Sequence, residues 1–321
     1  MYTIQKSNLT KLALLGSILL ATNTASAALL FQEDFENANF SSRGWFDNTG
    51  VAISTSEHIA GSTASAQYTF ALNAQTAPSG NTMRRSFAET DEIYVSYHVK
   101  YSTTWQGSNL PYHPHEFYLL TNQNDPNVGP SVTHLTAYIE QNEGVPILAI
   151  QDAQNIVEDN NGNVADLTAT TEIRAVAGCN GLGGAAVAMG PASCYGGSGS
   201  RRNEVVWRAS QIYFSDQVGS TYKNDWHRVE AYFKMNTVSN GLGNYDGVAQ
   251  YWYDGLLIIN HNNVLFRTGQ YPTMRFETLA IGPYIGVGSP VIQTMWVDNL
   301  FVATSRNDAV RPRPPTNLTV Q

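Results

Sequence analysis

The chain has 321 residues, 42% of them hydrophobic, which is enough to bury a large core and excludes a disordered protein. Only 14% are charged, against about 25% in an average soluble protein. The formal net charge of −8 becomes −10 once the first 27 residues, with Lys6, Lys11 and no acid, are set aside, which argues against a general binder of nucleic acid or of anionic membranes.

Taken in chain order, Lys6 and Lys11 precede the apolar run Leu12–Leu20 and the small-residue site Ala25-Ser26-Ala27, the pattern of an export signal cleaved near Ala27. The run is too short to span a bilayer and no later stretch reaches 18 apolar residues, so a secreted or periplasmic product without an integral membrane segment is expected. From there the dominant signal is period-2 alternation broken by turns, and no segment shows sustained helical periodicity. Strands are predicted over 67–72, 91–100, 116–121, 135–141, 146–151, 204–210, 226–234, 248–253, 256–259, 278–284 and 294–303. Asp246-Gly247 and Asp254-Gly255 read as hairpin turns on either side of Val248–Tyr253. Residues 152–203 read as a polar, then Gly-rich excursion. They hold the chain's two cysteines, Cys179 and Cys194, expected to close a disulfide loop worth up to about 3 kcal/mol. The domain division is 1–27 signal, 28–305 folded domain and 306–321 Pro-rich tail.

Alternation also assigns faces. If Val229, Ala231 and Phe233 point inward, then Arg228, Glu230, Tyr232 and Lys234 point outward, joined by Gln250 and Trp252 and by Tyr94, Ser96, His98 and Lys100. Rings beside Arg, Gln and His suit a sugar, so these side chains are expected to be partly accessible in one groove. His113-Pro114-His115-Glu116 has the His-x-His spacing of a metal pair, but Leu119 and Leu120 stand where a carboxylate ligand would follow and Pro114 weakens a regular strand; the segment reads as a polar loop or a glycan-contacting pair.

The segment Trp226-His227-Arg228-Val229-Glu230, followed by Asp246-Gly247 and Trp252-Tyr253-Asp254-Gly255, and the closing strand Met295-Trp296-Val297-Asp298-Asn299-Leu300-Phe301-Val302 resemble concanavalin-A-like jelly rolls. That superfamily includes lectins, laminin-G-like domains, glucanases and polysaccharide lyases. The resemblance implies an all-β, two-sheet antiparallel jelly-roll sandwich that binds or cleaves a polysaccharide or glycan. It also implies a structural calcium ion joining the chain ends through Asp34, Glu36 and Asp298. Arg228-Val229-Glu230, Gln211-Ile212-Tyr213 and Tyr232-Phe233-Lys234 are faintly similar to alginate-lyase motifs, with Tyr213 where His is expected. Two functions are carried forward. One is a non-catalytic carbohydrate-binding or adhesion module. The alternative is a lyase cleaving a uronate polymer by β-elimination, with Arg228 and Gln250 neutralising the carboxylate, His98 as base and Tyr232 as acid; Trp252, Glu230, Lys100, Tyr94, His113 and His115 would hold the substrate. The strand of spaced carboxylates that a glucanase needs is absent.

Overall fold

A computed structural model describes residues 28–77, 82–110, 113–122, 135–152, 156–158, 164–166, 206–269 and 271–306. The expected export signal, both cysteines and all of the expected tail but Arg306 lie outside the described residues. Among those described, no helix is long and apolar enough to cross a membrane.

In chain order the strands are β1 (Leu29–Glu33), β2 (Phe46–Asp47), β3 (Ala52–Ser54), β4 (Ser65–Phe70), β5 (Met83–Thr90), β6 (Glu92–Tyr101), β7 (His115–Thr121), β8 (Leu135–Asn142), β9 (Val145–Asp152) and β10 (Ile156–Glu158). There follow β11 (Val164–Asp166), β12 (Val206–Arg208), β13 (His227–Lys234), β14 (Val238–Ser239), β15 (Leu242–Gly243), β16 (Gly247–Tyr253), β17 (Leu256–Val264), β18 (Phe276–Tyr284) and β19 (Gln293–Ala303). Two large antiparallel sheets result. One has eight strands in the order β17-β16-β13-β6-β19-β4-β3, with β1 also on β19; the other has seven, β12-β9-β8-β7-β18-β5-β2.

Alternating inward residues of both sheets make the core, as a sandwich requires. Val229, Ala231 and Phe233 of β13 and Val95, Tyr97 and Val99 of β6 meet Phe117, Leu119, Ile139, Leu148 and Leu279 of the facing sheet. Tyr97 stacks on Phe117 with ring centroids 4.1 Å apart. Glu116 is buried in this core, where the Tyr101 hydroxyl donates to it at 2.8 Å. Burial pushes its carboxyl well above the usual range, against the hydrogen bond it accepts from Tyr101.

The Asp254-Gly255 turn is as the sequence predicts. Both residues take positive φ (47° and 84°), the geometry of a two-residue hairpin. Asp246-Gly247 is not a turn. Gly247 opens β16, Asp246 accepts from the Thr237 backbone and hydroxyl, and the reversal happens earlier, through Asn240 and Gly241 between β14 and β15. β16 is still the antiparallel neighbour of β13, so the expected register survives the wrong turn.

Candidate active site on the outer face of the seven-stranded sheet

The eight-stranded sheet brings the outward set together in the expected register. Arg228 pairs with His98, Glu230 with Ser96 and Trp252, and Tyr232 with Tyr94 and Gln250. The expected accessibility fails for part of that set. Glu230 and Tyr94 are 0% exposed and Trp252 is 7% exposed. Arg306 covers part of this face, its guanidinium lying 4.3 Å over the Trp252 ring and donating to Glu230 at 2.9 Å, while Tyr94 packs edge-on against Phe301. The polar groups here are also spent on one another. Tyr94 donates to Glu230 at 2.6 Å, Arg228 to Ser96 and Tyr94 at 3.2 Å each, Tyr232 to Glu92 at 2.6 Å and Gln250 to Asn260 at 2.8 Å, while Lys100 pairs with Glu57 at 2.7 Å. Burial opposes ionisation of Glu230, but Arg306, Tyr94 and Arg228 outweigh it and hold the carboxyl below its ordinary value. His98, between Arg228 and Asp298 in register, is pushed down to about 4 by burial and then by Arg228, and its Nδ1 has no partner. A neutral, half-buried imidazole and a carboxylate already claimed by two guanidinium groups leave little with which to receive a uronate. Gln211-Ile212-Tyr213 lies outside every strand, with Ile212 exposed and Tyr213 in the core.

The other sheet carries a different constellation on the face turned away from the core. Arg84 of β5, Ala280 of β18, Tyr118 of β7 and Tyr138 of β8 stand in one cross-strand row. Tyr118, Leu120, Tyr138, Ile147, Ala149 and Ala280 form an apolar cluster separate from the main core. At its edge β7 begins at His115, directly after Pro114, so the proline precedes the strand and does not interrupt it. The His115 ring stacks on Tyr138 at 4.5 Å and 25°, and its Nδ1 is 2.6 Å from Oε2 of Glu140, which is 6% exposed. A carboxylate oxygen accepts, so Nδ1 is the donor of this contact; in a neutral ring held this way Nε2 would carry the lone pair. His113 lies 4.5 Å from His115 and 5.5 Å from Tyr284, centroid to centroid. Burial and the neighbouring His115 push it down to about 4, so it is neutral at physiological pH. A Cβ at Gly286 would come within 3.0 Å of His113 Nε2, so glycine there makes room for the imidazole. Burial raises the hydroxyls of Tyr118 and Tyr138 well above their ordinary value; Tyr118 donates to the Gly282 carbonyl at 3.1 Å. Arg84 pairs with Asp47 through Nη1 and has a buried Nε with no partner.

The predicted pair His113 and His115 thus belongs to this face, and the other residues expected to contact or cleave a sugar belong to the opposite sheet. Arg84, Tyr118, Tyr138, Glu140 and Tyr284 were not anticipated.

At the chain ends, Glu36 and Asp298 both accept from the Ser62 hydroxyl, Asp298 also from the Ile59 amide, and Glu36 also from Thr63. Burial and then the Glu36 charge help push the Asp298 carboxyl up to about 6, against the hydrogen bonds it accepts. Asp34 is spent on the Glu36 amide at 3.1 Å. Two convergent carboxylates of this kind fit a hard cation, though no group of three or more acidic, His or Cys side chains gathers among the described residues.

No family model and no curated relative matches the sequence. Solved structures do. Alginate lyase vAL-1 from Chlorella virus is 15% identical, with a TM-score of 0.51 over 86% of this chain and 100% of that one. The marine alginate lyase from Aplysia kurodai is 10% identical, with a TM-score of 0.48 over 88% and 100%. The endo-beta-1,4-glucuronan lyase from Trichoderma reesei is 11% identical, with a TM-score of 0.44 over 88% and 95%. The likeness to vAL-1 establishes the jelly-roll sandwich as a fold that this chain shares with a polysaccharide lyase.

Proposed function

We propose that the protein is a polysaccharide lyase that cleaves a uronate-containing polymer by β-elimination on the outer face of the seven-stranded sheet. The reading rests on one observation above all, the half-buried His115 held by Glu140 at 2.6 Å and stacked on Tyr138. Elimination needs a base for the C5 proton, an acid for the leaving oxygen and a cation for the carboxylate whose charge grows in the transition state. His115 Nε2 takes the C5 proton, with Glu140 stabilising the imidazolium that forms. The electron pair becomes the C4–C5 double bond as the C4–O bond breaks. Tyr138, kept protonated by burial, gives its proton to the departing oxygen. Arg84, with an unpartnered Nε, pairs with the sugar carboxylate. The vAL-1 likeness supports the fold in which this chemistry is placed.

The test is ultraviolet absorbance of the unsaturated product when the purified protein meets a panel of uronate polymers. Absorbance should grow with at least one and vanish in His115→Ala. Retention of a polymer without any product, by wild type across the panel, would return the protein to the non-catalytic carbohydrate-binding class.

A further inference from the structure

Arg306 stands past the end of β19, yet its side chain reaches back onto the outer face of the eight-stranded sheet. Its guanidinium is engaged twice. Along one edge, Nε donates to Oε2 of Glu230 at 2.9 Å and Nη2 to Oε1 at 3.4 Å, a fork closed on both carboxylate oxygens. Against its flat side lies the Trp252 ring, with the guanidinium carbon 4.3 Å from the centroid. Both receiving groups belong to the sheet, where Glu230 of β13 and Trp252 of β16 stand opposite each other in register. The Tyr94 hydroxyl of β6 donates to Oε2 at 2.6 Å and fixes how the carboxylate is turned. An edge met by a carboxylate and a face met by an indole fit a planar guanidinium. An ammonium is a compact point charge with neither a planar fork nor a flat side.

The receiving groups keep partners when Arg306 is lifted away. Glu230 retains the Tyr94 hydroxyl and Arg228, whose Nη2 is 3.6 Å from Oε2, so no bare buried carboxylate is left behind. The Glu230 side chain is fully covered while that of Arg306 is 26% exposed, which makes Arg306 the outermost member of the group. We propose that Trp252, Glu230 and Tyr94 form a guanidinium seat filled by the chain's own Arg306, and that an arginine side chain of a basic partner protein takes the seat in its place. The shape of the seat selects arginine, and the net charge of −8 favours a basic partner. Because Arg306 is tethered, it competes at a high effective concentration, so one free arginine displaces it poorly and a partner must bring further contacts. The seat lies on the sheet opposite to His115, and the inference does not rest on the lyase reading.

Arg306→Ala removes the occupant and leaves the seat. Titrated with N-acetyl-arginine amide in a calorimeter, this variant should bind saturably, and wild type about tenfold more weakly because its own arginine must first leave. N-acetyl-lysine amide should bind the variant about tenfold more weakly than the arginine compound, and adding Trp252→Leu to the variant should abolish binding. Should Arg306→Ala fail to fold, Arg306→Lys keeps a cation in place and should show the same preference for the arginine compound. Wild type itself is tested by fluorescence anisotropy with labelled hexa-arginine and hexa-lysine peptides, which carry equal charge. It should prefer the arginine peptide, and Trp252→Leu should erase the preference. No binding of the arginine compound to a cooperatively melting Arg306 variant would overturn the seat. Equal binding of the two peptides by wild type would overturn its use by a partner.

Discussion

On the eight-stranded sheet the outward cations answer to carboxylates of the same chain. Lys100 meets Glu57, Lys234 meets Glu92, and Arg228 and Arg306 share Glu230. On the seven-stranded sheet, His115 spends one nitrogen on Glu140 and keeps the other, and Arg84 spends Nη1 on Asp47 and keeps Nε. Both faces hold His, Tyr, Arg and Glu. His98 Nδ1 apart, the difference is whether each polar group has its partners inside the protein. A saturated network holds a sheet in place; one with a lone pair and a donor left over can act on something that arrives.

The sharpest way to break the comparison is His115→Ala set beside Arg228→Ala. Removing a general base should cost about 10²–10⁴ in elimination rate, measured as product absorbance, whereas Arg228→Ala should change stability more than rate. A large loss of rate in Arg228→Ala with His115→Ala active would move the site back to the eight-stranded sheet. Next in size is Glu230→Ala. It strands Arg228 and the Tyr94 hydroxyl around an emptied, fully buried position and should lower unfolding free energy by about 3 kcal/mol, read from urea denaturation.

Acid sharpens the contrast further. His98 has a folded value of about 4 against 6.5 for a free imidazole, so the unfolded chain binds its proton first. Stability should therefore fall as pH drops from about 6.5 to about 4 and fall no further from this group below that. His98→Gln should flatten the urea midpoint over that window; an unchanged slope would mean the imidazole is not buried neutral. The smallest effect concerns Glu36 and Asp298. Added calcium should raise the melting temperature by about 2–4 °C, corresponding to about 1 kcal/mol, and Asp298→Asn should abolish the rise. No change on adding calcium or chelator would leave these carboxylates to the protein's own donors, among them Ser62, Thr63 and the Ile59 amide.

Much of the sandwich was legible because alternation is local. β6, β13 and β16 show the period plainly, and their pairing follows from hydrophobic register alone. β5 was missed because Met83-Arg84-Arg85-Ser86 hides its inward side. Arg85 faces the sandwich edge, with its guanidinium 4.4 Å from the Phe31 ring and 6.0 Å from Trp45, a place where an apolar residue would have announced the strand. In β8 every residue is buried, so neither face stands out in composition, and Tyr138 and Glu140 could not be assigned outward. The contact that defines the candidate site joins His115 to a carboxylate 25 residues away, across a pairing that no motif marks. Polar residues at alternating positions told which side chains share a face, but not that Arg306 would come to cover that face.

The place of β19 has a kinetic consequence. It is the last strand described, yet it lies in the interior of its sheet, between β6 and β4, and among the described strands it is the one β1 pairs with: Leu29 meets Ala303. The eight-stranded sheet therefore cannot close until nearly the whole chain is present, and its closure spans the largest sequence separations in the molecule. Such non-local pairing makes folding slow and pushes it late. A chain built this way leaves the edges of its inner strands unpaired until its last described strand has been made. Cutting the chain before Gln293 would take away the strand to which both β1 and β6 are hydrogen-bonded and leave the sheet in two pieces.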